Sequence, residues 1–214
     1  MKLMPALPES IFDVLYLIFA ISTGIWLLKH AKGRRAVQLM GIAALLLGGG
    51  DAFHLIPRVL GYWVPGEWTA ALGIGKLVTS VTMTLFYLLL ELVRRERYQT
   101  RQPAMVVFWL LAAVRIALCL FPQNAWTQPD APVSWGIWRN IPFVILGALT
   151  VIVWLKPSRG DKIFRFFPLA VCLSFLFYLP VVLWAQQVPL VGMLMLPKTV
   201  MYVWILFMFR KAAL

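Results

Sequence analysis

The chain has 214 residues, 62% of them hydrophobic and only 13% charged, and a mean hydropathy of +0.83. A soluble domain carries roughly 25% charged residues, so this composition excludes one. The formal charge of +12 does not indicate a nucleic-acid binder, because the basic residues lie between long apolar runs rather than on a solvated basic surface.

Seven apolar runs approach the ~20 residues that a membrane helix needs: 11–28, 37–60, 71–93, 104–121, 135–155, 166–184 and 190–209. They predict an all-α, polytopic membrane protein. The first run reads as an anchor rather than a cleaved signal peptide, since only Lys2 precedes it and a basic cluster follows it. After it come Lys29, Lys32, Arg34 and Arg35. The third run is followed by Arg94, Arg95, Arg97 and Arg101, the fifth by Lys156, Arg159, Lys162 and Arg165, and the last by Arg210 and Lys211. Fourteen basic residues thus fall on one side and Lys2 alone on the other. The positive-inside rule predicts an outside amino terminus, a cytoplasmic carboxyl terminus and residence in the cell (inner) membrane. Cys119 and Cys172 lie inside apolar runs without metal-type spacing and read as core thiols.

The two ends of the chain resemble each other. WLLKHAKGRR (26–35) aligns with WLKPSRGDK (154–162), FHLIPRVL (53–60) with FYLPVVL (177–183), and GKLVTSV (75–81) with PKTVMYV (197–203). Pro57 then overlies Pro180, and Lys76 overlies Lys198. The expectation is one seven-helix domain: a first three-helix half (1–103), a linker helix with its outer loop (104–134) and a second half (135–214). This 3+1+3 layout resembles the SWEET/PQ-loop sugar transporters and the wider transporter–opsin–receptor group. That resemblance implies a parallel repeat with a site between the halves. The only Pro-Gln pair, Pro122-Gln123, ends helix 4 instead of lying in the first helix of a half, so no functional residue carries over from that family. The chain also resembles bacterial seven-span proteins with a GDAFHLIPR-type signature, which implies no activity.

Five basic residues remain inside the spans: Arg58, Lys76, Arg115, Arg139 and Lys198. At ~1.5 Å per residue, measured from the outer helix ends, they lie within roughly 3–12 Å, with Asp51 at about 13 Å and His54 at about 9 Å. Asp51, His54 and Arg58 are spaced i, i+3, i+7 and share a helix face. Ser80, Asn140, Tyr178 and Tyr202 add polar groups on the neighbouring spans. Ionisable groups cost about 2.5–3.5 kcal/mol each in a span, so a shared depth implies a polar cavity opening outward. Asp51 reads as the only clear acid of the layer, which favours a small anionic ligand or a lipid head group, bound for transport or sensing.

Two other classes stand beside that reading. A lipid-modifying enzyme resembling the intramembrane lysoplasmalogenases would use Asp51 and His54 for metal-free acid–base chemistry, but the second intramembrane carboxylate of that family is missing from helices 5–7. A structural or assembly role would leave the charges paired between helices. No metal or cofactor is expected: zinc needs about three His ligands where the chain has two His in all, and although Lys198 with Asp51 meets the lysine and counter-ion criteria of a retinal site, Lys198 has a repeat partner in Lys76 and helix 3 lacks an acid at matching depth. The lipid bilayer is the one partner the sequence specifies; the oligomeric state is not set by it.

Overall fold

The computed structural model describes residues 6–100 and 104–214. Lys2 and Arg101 of the charge count lie outside the described residues. Seven α-helices follow in order: α1 Ala6–His30, α2 Arg35–Trp63, α3 Thr69–Tyr98, α4 Ala104–Leu120, α5 Val133–Ser158, α6 Phe167–Trp184 and α7 Met195–Ala213. Six are long and apolar enough to cross a membrane; α4, with 17 residues, is shorter. Each expected run falls on one helix, with one change of form. Residues 190–194, expected to open the seventh span, belong to a 3-10 turn, Pro189–Leu194, because prolines at 189 and 197 prevent a regular helical start.

Each helix packs on its chain neighbours, and α1 packs on α7, which closes the ring; α3 also meets α5, and α2 also meets α7. Helix α2 packs closely on both α1 and α3. A Cβ on Gly48 would stand 2.9 Å from the Ala20 Cβ of α1, and one on Gly50 would overlap Thr82 of α3. Gly75 of α3 lies against the backbone of Phe53 and His54. Small residues thus let α2 approach both neighbours at backbone distance.

In the centre, Tyr87 of α3 meets Phe143 and Phe175 edge-on at 5.2 and 5.7 Å, and its hydroxyl lies 3.4 Å from that of Tyr202. Leu15, Ile18, Val106, Leu110 and Ile152 point outward and are more than half exposed, a surface suited to lipid.

One end of the bundle is basic. There Arg97 donates to Asp161 Oδ2 at 2.7 Å and Tyr98 to the same atom at 2.9 Å, while the Ile163 N–H donates to Oδ1 at 2.9 Å. Partial burial pushes the Asp161 carboxyl up, but the Arg97, Ile163 and Tyr98 hydrogen bonds outweigh it and hold it below the usual carboxylate range. Arg94 is not a loop residue: it is fully buried in α3 and makes a bidentate pair with buried Glu91, with both contacts at 2.7 Å.

Candidate functional site

The opposite end of the bundle, where α2 meets α3 and α4 meets α5, collects the remaining charged side chains. Asp51, His54 and Arg58 lie on α2, as their spacing predicts, and all three line a cavity of about 420 Å³ among α1, α2, α7 and the Pro189–Leu194 turn. Lys198 and Tyr202 of α7 line it as well. A second cavity of about 440 Å³ lies between α2, the α2–α3 loop and α3, lined by His54, Arg58, Tyr62, Glu67, Trp68 and Lys76. His54 and Arg58 belong to both, so this edge of α2 lies between the two spaces.

The expectation that Asp51 is the lone acid does not hold. Glu9 and Asp13 of α1 line the same cavity. Arg58 is ion-paired with Glu9, whose other oxygen accepts from the Tyr62 hydroxyl at 2.9 Å. Asp51 Oδ2 accepts from Tyr16 at 2.6 Å, not from His54, whose Nδ1 is buried without a partner. Asp13 is 5% exposed and its Oδ2 has no hydrogen-bond partner. A buried carboxylate left in that state costs several kcal/mol unless a proton, a donor or a cation reaches it. The sequence carries a signal for these acids, since Glu9, Asp13 and Tyr16 recur at i, i+4, i+7 and so share a helix face of the span expected only as an anchor.

The other expected residues form a separate group on α4, α5 and α6. Arg115, 2% exposed, stacks 3.5 Å above the Phe143 ring, and its Nε and Nη1 have no partner. Arg139 donates to Asn124 Oδ1 at 2.9 Å and lies 4.2 Å from the Trp126 ring. Asn124, which the sequence reading missed, also donates to the Leu118 carbonyl at 2.7 Å and so caps the end of α4. Tyr178 donates to Asn140 at 2.8 Å. Lys198 joins the two groups, with Nζ 4.8 Å from the Tyr178 ring and 5.5 Å from the Tyr202 ring. Ser80 spends its hydroxyl on the Lys76 carbonyl, and Lys76 itself is exposed.

Among the described residues, Lys76, Arg115, Arg139 and Lys198 have no carboxylate oxygen within 4.0 Å. The cation–π contacts of Arg115, Arg139 and Lys198 are worth up to about 2 kcal/mol each when desolvated, enough to hold these three in place but not to neutralise them. Trp63, Trp138 and Trp184 are 47–60% exposed, while Trp68 lines the second cavity. Chemically, the arrangement offers seats for charged groups of both signs, with no three His, Cys, Asp or Glu among the described residues grouped to hold a metal ion. In comparisons with known proteins, no family model, no curated protein and no solved structure matches the chain.

Proposed function

We propose that this chain is a multi-pass protein of the cell inner membrane that holds a small anionic molecule or lipid head group in the α1–α2–α7 cavity, for transport or sensing. One observation carries the reading: Lys198 is 8% exposed, has no carboxylate within 4.0 Å and lines a space of about 420 Å³. That volume falls in the ~300–1,000 Å³ range of small-molecule sites. A purely structural layer would close its charges into pairs, and among the described basic residues at this end only Arg58 pairs with a carboxylate. The acid–base alternative is weakened because Asp51 holds Tyr16 and the His54 Nδ1 has no partner.

The orientation and the repeat belong to the same proposal. Thirteen described basic residues gather at the end opposite the cavities, which supports an outside amino terminus and a site facing outward. Pro57 and Pro180 lie in the middle helix of their triads, and each middle helix packs on both partners, as two parallel three-helix halves would. The layout resembling SWEET/PQ-loop proteins favours transport over chemistry. Single cysteines placed at Glu67 and Lys162 test the orientation: impermeant maleimide on intact cells labels the first and not the second. The reverse pattern inverts the site.

Native mass spectrometry of the purified protein tests the ligand. Wild type carries an anionic species, and Lys198→Met loses it by at least about tenfold, the factor that 1.4 kcal/mol represents. If no anionic species accompanies the wild type, and Asp51→Asn and Lys198→Met are as stable as it is, the cavity is structural.

A further inference from the structure

The cavity contains more than an anion needs. Three carboxylates, Glu9, Asp13 and Asp51, line it beside two cations, Arg58 and Lys198, and His54. Arg58 is occupied by Glu9, and Asp51 accepts the Tyr16 hydroxyl. Among the described residues Asp13 has no ion pair, although it is only 5% exposed and its Oδ2 has no hydrogen-bond partner. A ligand with only negative charge, seated on Lys198, would leave the buried Asp13 carboxylate without a counter-charge. A metal ion does not answer the need, because no three acids or histidines among the described residues are grouped to hold one.

We infer that the ligand is a zwitterion, with its phosphate or carboxylate on Lys198 and its ammonium on Asp13. Phosphoethanolamine is the chemistry that joins both groups in one small unit, either free or as a lipid head group. The rest of the wall suits the lipid form: Pro8, Phe12, Leu55, Met195 and Leu196 offer apolar surface beside the charged groups. A lipid would leave its glycerol and acyl chains along them, while a free head group would leave them to water. An ammonium supplies Asp13 with charge-assisted donors, which removes the cost of its burial. This inference rests on the anion seat at Lys198 and adds the cation seat opposite.

Delipidated protein is titrated by native mass spectrometry with phosphatidylethanolamine and, separately, with phosphatidylglycerol, which has the same phosphodiester and no ammonium. Wild type prefers phosphatidylethanolamine by about tenfold in Kd, a single charge-assisted contact's worth. Asp13→Asn brings the ratio close to one, and Lys198→Met weakens both lipids. Free phosphoethanolamine, added as competitor, identifies the source: displacement of the lipid assigns recognition to the head group alone, and no displacement assigns it to the intact lipid. Equal binding of the two lipids by wild type overturns the ammonium seat and leaves the anion seat standing. That comparison needs no variant to fold. Binding of neither lipid or free phosphoethanolamine overturns both together.

Discussion

Glycines 48 to 50 precede Asp51, and the three positions differ in what surrounds them. An added Cβ at Gly48 meets Ala20 at 2.9 Å, one at Gly50 meets the Thr82 Cβ at 2.6 Å, and one at Gly49 meets nothing within 4 Å. Gly50→Ala therefore pushes α2 off α3 and costs about 1–3 kcal/mol by overpacking. Gly49→Ala fills open space and adds roughly 0.5–1 kcal/mol through helix propensity. Thermal unfolding in detergent separates them: the melting point falls for the first and holds or rises for the second, and equal behaviour would remove the close-packing account of this seam. At the same scale, the sequence made Asp51, His54, Arg58 and Lys198 legible, because charged residues in apolar spans stand out and helical spacing fixes their shared faces. Their partners were not legible. That Asp51 meets Tyr16 and Arg58 meets Glu9 depends on α1 lying beside α2, a contact no single helix encodes.

At the scale of elements, apolar runs locate the helices because a bilayer core demands continuous backbone hydrogen bonding. Their ends are less well marked. α2 and α3 run to 29 and 30 residues, several past the expected spans, since polar residues such as Glu91 and Arg94 satisfy one another inside α3 and let it continue. Pro57 and Pro180 do not end their helices either, while Pro189 opens a 3-10 turn, a distinction set by the packing around each. The polar layer was expected to span five helices at one depth. The side chains do gather at one end, but as an α1–α2–α7 group rich in acids and an α4–α5–α6 group of arginine, asparagine and aromatic rings, with Lys198 between them.

Over the whole molecule, charge is sorted along the bundle axis. One end presents the basic residues, partly tied down by Asp161 and by Arg34, which donates to the Ala213 carbonyl at 2.5 Å. The other end holds two cavities that share the Arg58 edge of α2, and only there are buried cations without carboxylates. In the proposed reading, the buried Lys198 takes its counter-charge from a ligand in this cavity. In the proposed repeat Lys76 and Lys198 would match, yet one is exposed and the other buried, so two such halves would present their lysines differently. The most direct test is a cryo-electron-microscopy map of the protein in native-lipid nanodiscs, at a resolution that shows side chains. The account predicts density in the α1–α2–α7 cavity within about 3 Å of Lys198 Nζ, the reach of a charge-assisted hydrogen bond, and an α1–α3 unit that superposes on α5–α7 about the membrane normal. An empty cavity, with Lys198 turned to pair directly with Asp51 or Asp13, would contradict it.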